Sequence, residues 1–178
     1  NYDVPAYSRW LKDEADMAPA YQYHRRFLQM LQWKHPRSPW VLKSPAHLWS
    51  LDTLLAEYPD ARFIQTHRDP LRMLASLSSL VTHLRKMSSN RVDGLQIARE
   101  WAEWNALGLN ASAEFRRRGV ISQDNIIDID FYGFMDNPIV EVQKIYAAFD
   151  LSFSEHTRDA MQAYLAVHSA TQHGSHGY

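Results

Sequence analysis

Apolar residues recur along most of this chain at helical spacing, and gather into short continuous runs in only a few places. Tyr23, Phe27, Met30 and Leu31 fall on one face within 5–33, which predicts helix there, divided near Pro19. Two prolines make 34–39 a loop. The run at 40–43 is short and apolar, as a buried strand would be. Leu48, Leu51, Leu54 and Leu55 then form the stripe of a short helix, which the turn "EYPDA" stops. A second short strand is expected over 62–66. Pro70 suits the first turn of the next helix, with Leu74, Leu77, Val81 and Leu84 along one side.

After a polar break at 88–93, a long helix is predicted to about residue 118. Its stripe is Ile97, Trp101, Trp104, Gly108, Ala111 and Phe115, and Gly119 suits its C-cap. A third strand is expected over 126–130. Asp136-Asn137-Pro138 starts another helix with Val142, Ile145, Tyr146 and Phe149 inward. A last helix over 154–167 has Ser154 as its N-cap.

Strand and helix alternate, so the fold class is α/β: a helix-rich single domain over 1–178, with a parallel sheet flanked by helices. In such sheets ligands bind at the carboxyl ends of the strands. Lys43 and Arg68 both fall at or just past such ends.

Composition narrows the function classes. The chain has 178 residues, 46% hydrophobic and 22% charged, with a formal net charge of −1. That balance offers no general attraction to nucleic acid or to an anionic membrane, so an anion site has to be a local cluster. The absence of cysteine excludes disulfides and thiolate metal sites. No apolar run approaches the roughly 20 residues that span a bilayer. The start has no signal-peptide pattern, and the expected setting is a soluble, cytoplasmic one. Both ends read as cut. The first glycine is Gly94, so a Gly-rich phosphate loop is not expected in the first half.

Two phrases carry candidate chemistry. In "RDPLRMLAS", the guanidinium of Arg68 offers a planar fork of donors that matches phosphate, and Ser76 and the helix N-terminus can add more. The competing reading pairs Arg68 with Asp69 and makes Ser76 a small packing residue. In "LKSPAHL", the ammonium of Lys43 can neutralise charge building on a leaving group. Ser44 can donate to the same anion or cap the following helix. His47, with an ordinary pKa near neutrality, can accept a proton from an attacking hydroxyl or sit on the surface. Three histidines in the tail, His168, His173 and His176, match no closed metal site, and no metal is expected. Tyr21, Tyr23 and Trp33 are residues that can shape an acceptor pocket or simply pack.

Taken together, "WVLKSPAHLWSLDTLLAEYPDARFIQTHRDPLRMLASLSSL" closely resembles the bacterial branch of the sulfotransferase family, and "IIDIDFYGFMDNPIVEVQKIYAAFDL" also looks like that family. The resemblance implies a P-loop nucleoside triphosphate hydrolase-like (sulfotransferase) fold, incomplete here. It also implies the co-substrate 3′-phosphoadenosine-5′-phosphosulfate (PAPS), with sulfuryl transfer to an acceptor hydroxyl or amine on a small molecule or glycan. By it, Arg68 and Ser76 would hold the 3′-phosphate of the donor. Lys43 would lie near the bridging oxygen with Ser44 close by, and Phe131 would lie where relatives place a tyrosine near the adenine. The family's opening strand and 5′-phosphosulfate loop have no counterpart here, so the chain alone is expected to be inactive. Some members carry a glutamate base after that loop. Others use a histidine two residues after the lysine, a spacing His47 does not keep. The alternatives are a phosphotransferase on the same fold and a non-enzymatic helical protein that binds a partner.

Overall fold

The computed structural model describes residues 4–34, 36 and 39–168. The chain divides into two compact units, one of residues 1–61 and 81–120, the other of 62–80 and 121–178.

In the first unit, α1 (Pro5–Asp13) and α2 (Ala18–Gln32) each carry a proline in the first turn, where a missing N–H costs nothing. The predicted division of this region is therefore real, but it lies ahead of Pro19. The inward face of α2 differs from the expected one. Tyr21 and Leu28 are buried and His24 half-buried, while Tyr23, Phe27, Met30 and Leu31 are exposed. Two apolar stripes compete on this helix. The one that packs on α3 (Leu51–Glu57) also carries the polar groups that find partners there.

The expected strand over 40–43 does not form. Trp40, Val41 and Leu42 are exposed, and no strand is assigned to them. A short apolar run specifies burial or extension only when a neighbouring strand supplies the hydrogen bonds, and among the described residues the sheet has two strands. A 3-10 turn, Pro45–Trp49, follows and packs against α5 (Gly94–Arg117).

Asp93 caps α5 by accepting from the backbone N–H of Leu95 and Gln96 at 2.8 and 3.2 Å. Gly119 ends it in the left-handed region, φ 64°. The buried side of α5 is Ile97, Gly108, Ser112 and Phe115. Ala111 of the predicted stripe is exposed, and Ser112, one position on, is buried in its place. The arginine run at its end is neutralised locally: Arg117 pairs with Glu114, and Arg118 grips Asp52 through both carboxylate oxygens at 2.6 and 2.7 Å.

In the second unit, β1 (Phe63–His67) and β2 (Ile126–Asp130) pair in parallel, with Phe63 opposite Ile126 and His67 opposite Asp130. Helix α4 (Pro70–Lys86) begins here, and its residues from Val81 onward belong to the first unit. A helix the sequence did not announce, α6 (Phe131–Asp136), follows β2 without a loop. The Asp130 carboxylate accepts from the N–H of Gly133 at 2.7 Å, and this cap turns strand into helix in a single step. Then come α7 (Pro138–Ala148) and α8 (Glu155–Val167), the latter capped by Ser154 as expected. The core of the unit holds Ile121, Ile129 and Phe149.

Candidate functional site

Each unit carries one of the two phrases. In the first, Ser44 has an extended backbone and its Oγ accepts from the N–H of Ala46 at 3.2 Å. Capping is therefore an observed role of Ser44. Pro45 occupies the first turn, where its fixed φ suits the bend. The turn is fastened from its far end. Trp49 Nε1 donates to the carbonyl of Trp104 at 2.9 Å, and the two indoles meet edge to face at 5.6 Å. This seat exists because residue 108 is glycine: a Cβ there would lie 2.9 Å from the Trp49 ring and 3.1 Å from Leu48. Of the Trp101/Trp104 pair, Trp104 thus serves as a packing device for the turn.

Between these two fastenings sits His47, half-buried, with Nδ1 2.8 Å from the hydroxyl of Tyr21. A second pair stands next to it: His24 Nδ1 lies 2.7 Å from the hydroxyl of Tyr58, and the Tyr21 and His24 rings meet edge-on at 6.4 Å. Burial lowers the pKa of His47 below the ordinary histidine value, and the neighbouring His24 lowers it further. Burial raises the phenol of Tyr21, with the charge that Tyr58 would carry adding to the effect. Around neutral pH the pair is a neutral imidazole against a protonated phenol. Lys43, just ahead of the turn, is exposed, and among the described residues no carboxylate lies within ion-pairing distance of it.

In the second unit, the parallel register makes His67 and Asp130 partners, so the next residues, Arg68 and Phe131, leave the sheet side by side. The Arg68 guanidinium lies over the Phe131 ring, 4.5 Å from its centroid, and Tyr132 meets that ring edge-on at 5.4 Å. Asp69 does not pair with Arg68. Its carboxylate accepts from the N–H of Leu71 at 2.9 Å, capping α4, and stands 3.9 Å from Arg72. Capping satisfies that acid and leaves the Arg68 charge without a carboxylate among the described residues. Arg68, Leu71, Arg72 and Ala75 line a concave space of about 380 Å³. Ser76 is half-buried beside Ala75, one helical turn on from Arg72. On the sheet itself, His67 Nε2 and an oxygen of Asp128 are 2.6 Å apart and exposed.

Residues read from the sequence thus fall into two local groups, Lys43, Ser44 and His47 in one and Arg68, Ser76 and Phe131 in the other. Three participants were not assigned these contacts. Tyr21 holds His47, Phe131 lies under Arg68, and Arg72 shares the concave space with Arg68. The repeat of arginine in "RDPLR" is a signal for the last of these. The first two depend on contacts that spacing does not encode. Among the described residues, no group of three or more His, Cys, Asp or Glu side chains is arranged to hold a metal, and no helix is long and apolar enough to cross a membrane. His173 and His176 lie outside the described residues.

The profile of the sulfotransferase family matches residues 2–155. Two solved structures are similar over nearly the whole chain. One is the sulfotransferase STF9 from Mycobacterium avium, 32% identical, with a TM-score of 0.87 over 93% of this chain and 42% of that one. The other is the sulfotransferase STF1 from Mycobacterium tuberculosis H37Rv, 34% identical, with a TM-score of 0.83 over 91% of this chain and 44% of that one. The chain therefore spans less than half the length of either structure. No curated protein sequence matches it. A helix-rich α/β fold with a small parallel sheet and a family profile over most of the chain lead to one conclusion: the chain belongs to the sulfotransferase family.

Proposed function

We propose that this chain contributes donor-binding and reacting-group residues to a PAPS-dependent sulfotransferase on a P-loop-like fold. The observation that carries the reading is Arg68: a guanidinium at the carboxyl end of a parallel strand, free of any carboxylate among the described residues and set at a concave surface. Arg68 is assigned to the 3′-phosphate, with Ser76 supplying a hydroxyl from α4 and Phe131 belonging to the same group. Ser44 has a place beside the donor as well as its capping role.

The reaction is in-line. The acceptor oxygen or nitrogen bonds to sulfur as the bond from sulfur to the bridging oxygen breaks. The bridging oxygen departs with its electron pair on 3′-phosphoadenosine-5′-phosphate, and the acceptor's proton passes to solvent water. Lys43 is assigned to the charge that builds on that oxygen, and His47 to the same reacting group. The acceptor is a hydroxyl or amine of a small molecule or glycan, and no step calls for a metal.

Calorimetric titration with 3′-phosphoadenosine-5′-phosphate tests this reading. Saturable binding is expected, and Arg68→Ala weakens it roughly tenfold to a hundredfold, the range for hydrogen bonds to charged groups. Tighter binding of ATP would favour a phosphotransferase instead. No binding of either nucleotide by the folded chain would favour a partner-binding protein.

A further inference from the structure

The contact between Tyr21 and His47 has two arrangements. Either the phenol donates to Nδ1, or an Nδ1–H donates to the phenol oxygen. A phenol, with a pKa near 10, is a more acidic donor than a neutral imidazole N–H, and the imidazole nitrogen is a more basic acceptor than a phenol oxygen. The second arrangement also leaves the Tyr21 proton in need of another acceptor. Among the described residues the hydroxyl has no hydrogen-bond partner besides His47, and Tyr21 is only 7% exposed. A buried donor left unsatisfied is destabilising.

We infer that Tyr21 donates to His47 Nδ1 and fixes the imidazole as its Nε2–H tautomer, so that the remaining ring nitrogen of His47 is a hydrogen-bond donor to an anionic oxygen and not a proton acceptor. Tyr21 is then a positioning residue. The surroundings support a neutral ring. His24 and Tyr58 face the pair from α2 and the end of α3, and the charges beside Tyr58, Arg25 and Glu57, are paired with each other at 3.3 Å. A second imidazole alongside makes a charged His47 unfavourable. The consequence for chemistry is specific. The base role that residue type alone gave His47 requires a lone pair on the nitrogen that here carries the proton. A donor suits a phosphate or sulfuryl oxygen instead, and this part of the inference rests on the function proposed above, whereas the tautomer does not.

The tautomer is read directly from two-bond ¹H–¹⁵N correlations of histidine-labelled chain at neutral pH, with His47→Gln providing the assignment. An Nε2–H pattern is expected. Tyr21→Phe should give mixed tautomers and a higher titration midpoint, because the neutral ring loses the donor that favours it. An Nδ1–H pattern in the unsubstituted chain overturns the inference, whether or not Tyr21→Phe folds, and so does an unchanged pattern in Tyr21→Phe. A second arm tests the donor role by titration with 3′-phosphoadenosine-5′-phosphate. His47→Gln keeps an N–H and no base, so it should bind within about twofold of the unsubstituted chain while His47→Ala binds several-fold more weakly. Equal binding by His47→Ala and the unsubstituted chain removes the donor role and leaves the tautomer standing. Absence of nucleotide binding by the unsubstituted chain instead counts against the proposed function.

Discussion

The turn that carries His47 and the strand end that carries Arg68 are held in opposite ways. The turn is fastened at three points: a serine cap at its start, a tyrosine on its histidine, and a tryptophan seated on α5 at its end. Arg68 is exposed at a strand end and oriented by one ring face and the backbone geometry beneath it. Buried polar partners fix a side chain's orientation and protonation, because leaving any of them unmatched is costly. An exposed guanidinium keeps its full charge and several ways to bond an incoming anion. A single chain can thus carry one polar group held by buried partners and another whose charge stays open to solvent.

The sharpest way to break this contrast is at the seat of the turn. Gly108→Ala places a methyl group against the Trp49 ring, which is large and cannot swing aside without losing its bond to Trp104. Overpacking of this kind costs about 1–3 kcal/mol, partly offset by the helix propensity gained, near 1 kcal/mol. Denaturant unfolding should therefore show a net loss of up to about 2 kcal/mol. Gly94→Ala, where the nearest atom is an ordinary 3.6 Å away, should not destabilise the chain. Equal effects at the two positions would mean that the turn is not seated through Gly108.

A smaller effect is expected from acid. His47 has a lowered pKa in the folded chain, so the unfolded chain binds its proton first as the pH falls. Stability is full above the ordinary histidine value of about 6.5 and declines below it, until the folded-state pKa is passed. Unfolding midpoints measured from pH 7.5 down to pH 5 should fall, and His47→Gln should flatten part of that fall. A profile identical in the variant would show that the turn does not sense this histidine.

The smallest effect belongs to the other region. Replacing Phe131 by leucine keeps an apolar side chain and removes the ring face under Arg68. At an exposed site such a contact contributes about 0.5–1 kcal/mol, so affinity for the 3′,5′-bisphosphate should fall about two- to fivefold. Affinity for adenosine 5′-monophosphate, which has no 3′-phosphate, should change less, and Phe131→Tyr should restore the difference. Equal weakening of both nucleotides would instead make Phe131 an adenine contact.

Much of the frame was legible along the chain. The strand at Ile126–Asp130 was anticipated with its bounds, the Phe63–His67 strand to within one residue, and the last helix with its serine cap. Each of these is announced by local chemistry: a short run rich in β-branched residues for the strands, a capping side chain for the helix. The reading failed where two local signals were equal and packing chose between them. Helix α2 has two apolar stripes, and the one that turned inward also carries Tyr21 and His24, whose polar ends meet His47 and Tyr58. The run at 40–43 has the composition of a strand, yet a strand is a relation between two segments and composition describes one. Helix α6 went unseen because its start depends on the bond between Asp130 and the N–H of Gly133, with no loop to mark it.

By itself, then, the sequence determined the class of fold, the family, and the residue types able to meet an anion: Lys43, Arg68, Ser44 and Ser76. The fold class follows from periodicity and turn chemistry, the family from the resemblance of two stretches, and the residue types from charges and hydroxyls that need no neighbour. Only the tertiary structure decided what each group does with its surroundings. It gave Asp69 to the helix cap, and it laid Arg68 over Phe131. It also set His47 against Tyr21. Hydrogen-bond direction and burial are properties of pairs brought together across the chain, and no spacing along a sequence encodes them.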